Sequence, residues 1–157
     1  MNIAHLLLGS AQEFRDHTAL ARGSEPYLSY RDLWRKVSVM SMHLGGRFGL
    51  ARGDRVAFAM TNCIEAIEVM YAIWHAGLCA VPMNAKLHAK EFAFILENSG
   101  AKLCFVTPDL AATIALAARE APALKEIVDI TTRPYTFMAV GDPVPMADAE
   151  PTDPAWL

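Results

Sequence analysis

The side chains that could do chemistry in this chain are few. Glu65 and Glu68 are carboxylates three positions apart, a spacing that puts both on one face of a helix, as a general acid and base would require. A solvated helix face is the commoner origin of this pattern, so we interpret both as surface residues. His75 and Cys79 are two metal-ligand types, but no second pair follows to complete a site. We interpret His75 as a partly buried structural histidine or as a cation at a helix C-terminus.

Phosphate binding and nucleophilic catalysis also lack their usual motifs. The sequence contains no GxGxxG, no GxxxxGK[ST] and no GxSxG. Its glycine cluster, Gly45, Gly46 and Gly49, follows a helical segment and precedes a strand, the reverse of the order that phosphate binding at a helix N-terminus requires. We therefore predict that this cluster ends a helix and forms a turn, and that the chain has no catalytic residues and no metal site of its own.

Composition and charge narrow the class of protein further. The chain has 157 residues, 54% of them apolar, and a formal net charge of −3 without a cluster of Lys or Arg. These values indicate one globular domain and disfavour a nucleic-acid partner. No apolar run reaches the roughly 18 residues of a membrane span, and no basic region precedes Leu6, so we expect no transmembrane segment, no signal peptide and a cytoplasmic location. Cys63, Cys79 and Cys104 are predicted to be small buried thiols.

Helix-period and strand-like segments alternate along residues 28–130. The strand-like runs are residues 55–60, 79–83, 102–106 and 126–130. The helical segments begin near Tyr30, Asn62, Lys90 and Pro108. Alternation of this kind predicts right-handed βαβ units and a mostly parallel sheet flanked by helices. The fold class is therefore α/β, with residues 1–27 as an N-terminal lead-in and 28–130 as the core.

Local signals define the helix ends and faces. The first helix should bury Leu33, Val37, Met40 and Leu44 and end at Gly45-Gly46 in the left-handed conformation. Asn62 with Glu65 predicts a capping box for the second helix. That helix should line one face with apolar residues and end at Gly77; the residues of this face are Ile64, Ile67, Tyr71 and Trp74. Thr107 should cap the helix that begins at Pro108.

The last part of the chain, residues 131–157, is less regular. Its prolines and acidic residues over 141–154 predict a surface connection, and Ala155-Trp156-Leu157 resembles the first residues of a further strand.

Four stretches in this order resemble the N-terminal region of the acyl-adenylate-forming enzymes, a family that includes the acyl-CoA synthetases. Residues 28–33, LSYRDL, resemble "T/S-Y-x-x-L", and residues 49–57, GLARGDRVA, resemble "G-L-x-x-G-D-R-V-A". Residues 62–84 resemble "N-x-x-E…A-x-x-x-A-G-x-x-x-V-P-x-N", and residues 91–105 resemble "E-x-x-x-x-L-x-x-S-x-A-K-x-x-x". The resemblance implies an incomplete N-terminal subdomain that stops just before the expected phosphate loop.

The resemblance also implies a reaction for the parent enzyme. A carboxylic acid, such as a fatty acid, reacts with ATP and Mg²⁺ to give an acyl-adenylate and pyrophosphate, and coenzyme A then displaces AMP. The phosphate loop, the ribose-binding Asp and the catalytic Lys of the family are not among these residues, so the chain alone is expected to be inactive and to bind none of these cofactors tightly. In many relatives the segment here read as Asn84-Ala85-Lys86-Leu87 carries an Arg that, in some, lies near coenzyme A. Lys86 is therefore the candidate coenzyme A contact, and the alternative is an exposed loop lysine with no ligand. Asn84 is expected to tie the loop after its strand.

Two alternatives to a ligase fragment stay open from the sequence. The first is a non-catalytic module that binds a partner or an acyl ligand. The second is an unrelated flavodoxin-like or receiver-like domain, which the lack of an acidic cluster or phosphate loop after a strand disfavours. A fragment that exposes a sheet edge is also expected to self-associate.

Overall fold

The computed structural model describes residues 1–157 and contains six helices and six strands, apart from one short 3₁₀ turn. The helices are α1 (His5–Glu13), α2 (Tyr30–Gly46), α3 (Glu65–His75), α4 (Ala89–Ser99), α5 (Pro108–Ala117) and α6 (Arg133–Phe137). The strands are β1 (Thr18–Arg22), β2 (Glu25–Ser29), β3 (Arg55–Ala59), β4 (Cys79–Met83), β5 (Leu103–Val106) and β6 (Glu126–Asp129). No helix has both the length and the apolar character that crossing a bilayer would require.

Strands β3 to β6 form one parallel sheet in the spatial order β4-β3-β5-β6. In its register, Ala57 lies opposite Val81 on one side and opposite Cys104 on the other. Helices α3, α4 and α5 make the three crossovers, because parallel neighbours cannot be joined by a tight turn. The prediction of an α/β fold with a parallel sheet flanked by helices is confirmed.

Both faces of this sheet are covered by apolar layers. Val56 and Phe58 belong to the core shared with α2, α3 and α6, whereas Ala57 and Cys104 belong to the core shared with α4 and α5. Successive residues of a strand point to opposite faces, so a strand buried on both sides needs an apolar residue at nearly every position. This requirement explains why the strands stand out in the sequence as short apolar runs.

Residues 155–157 extend the sheet beside β4. The Ala80 N–H donates to the Ala155 carbonyl at 2.9 Å, and the Leu157 N–H donates to the Ala80 carbonyl at 2.9 Å, which is a parallel bridge. Only this isolated bridge is present, so a further strand that begins at these residues stays a prediction. Hydrogen-bonding groups alternate in direction along a strand, so Pro82, like Ala80, faces the outer edge, where its missing N–H removes no bond to β3.

Helix α2 buries the four apolar residues that the sequence predicts, Leu33, Val37, Met40 and Leu44. It ends at Gly46, but the predicted left-handed conformation at Gly45-Gly46 is wrong. Arg47 is still right-handed, and the positive φ of +62° falls at Gly49, where the chain turns toward β3. Two consecutive glycines permit a helix end without requiring it, and here they continue the helix.

Helix α3 is the element in which the sequence predictions are least accurate. The predicted apolar face is out of phase, since Ile64, Ile67 and Tyr71 are only partly buried. The residues that are buried on α3 include Val69, Ala72, Ile73, Glu68 and His75. The physical reason is that α3 lies between the sheet and α2, so it is covered over most of its circumference and no single apolar stripe defines its buried side.

The ends of α3 differ in how well the sequence predicts them. The capping box is wrong, because the helix begins at Glu65 after Ile64 and Asn62 is exposed outside it. The predicted end is confirmed. Gly77 has a φ of +70°, and the Leu78 N–H bonds to the Ile73 carbonyl at 3.0 Å, which satisfies a carbonyl of the last helical turn.

Four further elements lie outside the strand–helix alternation, and no sequence signal predicts them. Helix α1 packs on α2 through Leu7, and strands β1 and β2 form an antiparallel hairpin within and just after the lead-in. Their side chains are mostly exposed, so they lack the apolar periodicity that marks the core. Helix α6 has only five residues, too few to show a helical period. As predicted, residues 141–154 contain no helix or strand.

Candidate functional site

Loops at the carboxyl ends of the strands meet at one edge of the sheet. Thr107 follows β5 and precedes α5, as predicted, but its side chain does not cap the helix. The buried Thr107 Oγ1 instead accepts the Thr61 N–H at 3.2 Å from the loop after β3. This bond joins the loops of two neighbouring strands and fixes their relative position, a pairing that no local sequence signal indicates.

The loop after β4 carries the only residue predicted to contact a cofactor. Asn84 Oδ1 accepts the Lys86 N–H at 3.0 Å, and the Asn84 carbonyl accepts the Leu87 N–H at 3.1 Å, so Asn84 ties this loop as the sequence predicts. The Lys86 side chain is exposed and has no hydrogen-bond or ion-pair partner in the chain. The structure therefore leaves its ammonium group free to meet an anion at the edge of the sheet.

Helix N-termini lie at the same edge. Helices α3 and α5 begin directly after the loops of β3 and β5. The Glu65 carboxylate accepts its own backbone N–H at the first residue of α3, and α5 begins with Pro108 and carries Asp109 in its first turn. Carboxylates at these positions offset the positive potential of a helix N-terminus. At the start of α4 the Glu91 carboxylate accepts the His88 N–H at 2.8 Å.

Glu68 corrects the interpretation of the two carboxylates as a solvated face. Its side chain is 0% exposed, and one carboxylate oxygen lies 2.7 Å from Lys36 Nζ on α2. The Tyr135 hydroxyl donates to Glu68 Oε2 at 2.6 Å from α6. Burial, then the adjacent carboxylate, raises the pKa of Tyr135 well above its usual value, so the phenol remains a donor. Glu68 is the centre of a buried ionic network, which we call the Glu68 cluster (Lys36, Glu68 and Tyr135).

Glu65 is held separately from Glu68. Its carboxylate lies 2.7 Å from the Arg22 guanidinium on β1 and is 15% exposed. Burial opposes ionisation, but hydrogen bonds from its own backbone N–H and from Arg22 outweigh it and lower the pKa of Glu65. The two carboxylates thus have different cationic partners and do not form an acid–base pair.

His75 is a structural histidine, more deeply buried than the sequence predicts. It is 0% exposed, its Nδ1 lies 2.8 Å from Ser41 Oγ, and its ring packs against Trp34 with centroids 5.0 Å apart. Burial lowers the pKa of His75 to about 4, so the ring is neutral at pH 7 and the alternative of a cation at the helix end is wrong. Its Nε2 has no hydrogen-bond partner.

The cysteines and the possible metal ligands have structural roles only. Cys79 and Cys104 are buried free thiols, as predicted, whereas Cys63 is only partly buried. Burial raises the pKa of Cys104 to about 12, which makes its thiol inert at neutral pH. No group of three or more His, Cys, Asp or Glu side chains is arranged to hold a metal ion.

A cavity of about 220 Å³ lies at the opposite, amino edge of the sheet. Its walls come from residues 1–3, from the end of α3 at Trp74 and Gly77, and from residues 149–155. Trp74 is 7% exposed and contacts Trp156 with ring centroids 5.7 Å apart. This cavity is thus enclosed by the terminal segments and lies away from the loops that carry Lys86 and Thr107.

Comparison with known proteins identifies the family. The family model described as AMP-binding enzyme matches residues 8–157. The chain belongs to the AMP-binding enzyme family. This membership confirms the resemblance to the acyl-adenylate-forming enzymes and excludes an unrelated flavodoxin-like or receiver-like domain.

Relatives within the AMP-binding enzyme family include ligases and larger synthases. A naringenin synthase of Pestalotiopsis fici is 35% identical over 117 residues, which are 74% of this chain and 4% of that protein. The long-chain-fatty-acid–CoA ligase FadD13 of Mycobacterium tuberculosis is 46% identical over 55 residues, which are 35% of this chain and 11% of the ligase. The chain therefore matches only a small part of the length of these relatives.

A solved structure supports the same fold. The N-terminal domain of FACL13 from Mycobacterium tuberculosis superposes with a TM-score of 0.87 at 24% identity, covering 99% of this chain and 41% of that domain. At this identity the likeness establishes the architecture, namely that of N-terminal domains of acyl-adenylate-forming enzymes.

Proposed function

We propose that residues 1–157 form the first α/β part of an ATP-dependent, AMP-forming carboxylate–CoA ligase. In this reaction a carboxylate oxygen attacks the α-phosphorus of ATP and pyrophosphate leaves, which gives an acyl-adenylate. The coenzyme A thiolate then attacks the acyl carbon and AMP leaves with the bonding electrons. The observation that carries the proposal is the family match over residues 8–157.

The position of residues 155–157 supports this proposal geometrically. Trp156 pairs with Ala80 near the amino end of β4, so a strand that continues in register comes level with Met83 about two residues after Leu157. The loop that follows such a strand emerges at the carboxyl edge, beside Asn84. In α/β sheets this edge is where ligands bind, and here α3 and α5 both begin at it.

The chain itself does not supply what the chemistry needs. Charge developing on the transferred phosphate requires positioned donors and usually a metal ion, yet no acidic cluster suited to Mg²⁺ and no phosphate loop is present among these residues. No catalytic step is therefore assigned to residues 1–157. Their contribution is the sheet edge, the Thr61–Thr107 tie and the Lys86 loop.

We expect residues 1–157 alone to release no pyrophosphate from ATP in the presence of Mg²⁺ and a panel of fatty and aromatic acids. A protein in which the chain continues through a phosphate loop should do so, with acid-dependent formation of AMP when coenzyme A is added. The measurement is coupled pyrophosphate release, with heat-treated protein as the control. Turnover by residues 1–157 alone would contradict the inactivity, and acyl binding without turnover by the longer protein would favour a non-catalytic module.

The substrate class is a further part of the proposal. FadD13 is described as a long-chain-fatty-acid–CoA ligase, which makes a fatty acid the first substrate to test in the longer protein. Saturated acids of increasing length, compared by kcat/KM with a phenolic acid of similar mass, separate a fatty-acyl ligase from an aromatic one.

Lys86 is proposed to contact the phosphates of coenzyme A through its free ammonium group. Lys86→Ala in the ligase that contains these residues should raise KM for coenzyme A by about fivefold to thirtyfold, since a charge-assisted contact contributes about 1–2 kcal/mol. KM for ATP and for the acid should not change. Lys86→Arg should retain affinity, and Lys90→Ala, on the first turn of α4, is the control for lost positive charge. An unchanged KM for coenzyme A in Lys86→Ala would contradict the contact.

A further inference from the structure

Trp74 joins the end of α3 to the start of the strand at residues 155–157. Its indole Nε1–H donates to the Ala155 carbonyl at 2.8 Å. The same carbonyl accepts the Ala80 N–H at 2.9 Å. One backbone oxygen therefore accepts two donors, one from the β4 backbone and one from a side chain that is 7% exposed.

Trp74 makes two contacts with this strand, and they differ in what they say about its register. The bridge to β4 consists of two backbone hydrogen bonds, and backbone groups repeat along any strand. If the strand slipped by one residue, a neighbouring carbonyl would take the place of the Ala155 carbonyl, so the indole N–H holds the strand against β4 without selecting its register. Trp156, which packs on Trp74, would move to the other face of the sheet.

The segment that leads to this strand is tied to the same region. The Ala147 N–H donates to the His75 carbonyl at 2.9 Å, and Asn2 Nδ2 donates to the Ala147 carbonyl at 3.0 Å and to the Trp74 carbonyl at 2.6 Å. An ion pair between Arg52 and Asp153 holds the turn before residue 155. These contacts bring the strand to β4, but all of them precede Ala155, so only the indole acts on the pairing itself.

We propose that Trp74 is a positioning residue that sets the register of residues 155–157 on β4, and through it the place at which the following loop reaches the carboxyl edge. The catalytic consequence rests on the proposed ligase function, whereas the register does not. Trp74 acts through the Trp156 ring, which selects the register, and through the Ala155 carbonyl, which holds the strand against β4, and it contacts no reacting atom.

Hydrogen exchange of single amides in residues 1–157 tests the register. In Trp74→Phe we expect the Leu157 and Ala80 amides to exchange about fivefold to tenfold faster, which corresponds to one lost hydrogen bond. Amides of Ala57 and Phe105, in the two central strands, should keep their protection. Trp34→Phe is the matched control, because Trp34 also packs on this side of the molecule but its indole makes no hydrogen bond.

A second variant separates the bond from the bulk of the ring. Replacing Trp74 by β-(3-benzothienyl)alanine keeps the bicyclic shape and exchanges the N–H for sulfur. Faster exchange confined to Leu157 and Ala80 in Trp74→Phe supports the proposal, and the benzothienyl variant shows how much of this effect the N–H contributes. Unchanged exchange in both variants overturns the proposal, and so does an equal loss of protection at Ala57 and Phe105, which would indicate a general packing role.

The consequence for activity is tested in a ligase in which the chain continues past Leu157. Trp74→Phe should raise KM for ATP by about fivefold to tenfold and leave KM for the acid unchanged, while Trp34→Phe changes neither. If the unmodified protein forms no acyl-adenylate, the proposed function fails and the exchange result still decides the register. If the unmodified protein is active and KM for ATP is the same in Trp74→Phe and Trp34→Phe, the positioning role of Trp74 is overturned.

Discussion

Replacing Glu68 by alanine is expected to lower the free energy of unfolding by about 3 kcal/mol, because it leaves the half-buried Lys36 ammonium without its carboxylate and the buried Tyr135 hydroxyl without its acceptor. Lys36 Nζ lies 2.7 Å from the carboxylate and its side chain is only 19% exposed, so water compensates the lost pair incompletely. Tyr135 loses its only acceptor at the same time. Urea unfolding followed by circular dichroism measures the effect as a lower midpoint with an unchanged slope.

Three variants test whether the loss of stability in Glu68→Ala comes from the Glu68 cluster. Glu65→Ala is the matched control, since Glu65 is on the same helix but pairs with an exposed Arg22, and its loss should be far smaller. Tyr135→Phe should cost about 1–2 kcal/mol, the value of one buried hydrogen bond. The double variant Lys36→Met with Glu68→Met, made together with Tyr135→Phe, should recover most of the stability, because an apolar pair avoids the desolvation cost and no buried hydroxyl is left unsatisfied. If Glu65→Ala and Glu68→Ala lower the free energy of unfolding equally, the Glu68 cluster does not contribute the expected stability.

Acid destabilises this protein through His75. Above pH 6.5 the histidine is neutral in both the folded and the unfolded state, so it adds no pH dependence. Between pH 6.5 and about 4 the unfolded chain binds a proton that the folded protein excludes, and the free energy of unfolding falls by about 3 kcal/mol over this window. Below about pH 4 the histidine is protonated in both states and this contribution becomes constant.

Unfolding in urea at pH 7, 5.5 and 4.5 measures this dependence. His75→Phe keeps an aromatic ring against Trp34 and cannot titrate, so its stability should change less with pH than that of the unmodified protein. His88→Gln, in the exposed loop before α4, is the control for the loss of any histidine. Parallel pH profiles for the unmodified protein and His75→Phe would show that His75 is not the group responsible.

The features that the sequence predicts correctly are those whose signal is local. A parallel strand buried on both faces must be apolar at almost every position. Apolar runs such as residues 102–106 can therefore be recognised as strands from the sequence. Helix α2 shows its period because only one side is buried, and Gly77 marks a helix end because its positive φ suits glycine.

The features that the sequence does not predict depend on contacts between distant elements. Lys36 and Tyr135 lie far from Glu68 in sequence, so its spacing from Glu65 resembles a solvated face although the structure buries it. Thr107 has the residue type and position of a helix cap, yet its hydroxyl bonds to Thr61 on another loop. The phase of α3 fails for the same reason, because a helix covered on several sides shows no single apolar stripe.

For the candidate site, sequence motifs indicate the family more directly than any side-chain geometry in the chain. Asn84 could be predicted to tie its loop, since an Asx turn is a local device, and the structure confirms it. The role of Lys86 comes from the resemblance alone. The structure adds that its ammonium group is exposed and unpaired at the carboxyl edge of the sheet.

The outer edge of β4 also bears on whether separate molecules can polymerise through their sheets. Strand addition from another chain needs several consecutive outward N–H and C=O pairs. On this edge the outward groups of Ala80 are already used by Ala155 and Leu157, and Pro82 offers a carbonyl but no donor. Within the bridging segment, the outward-facing amide and carbonyl belong to Trp156 alone. A proline that is neutral for the fold thereby interrupts the hydrogen-bond ladder on which fibrillar growth would depend.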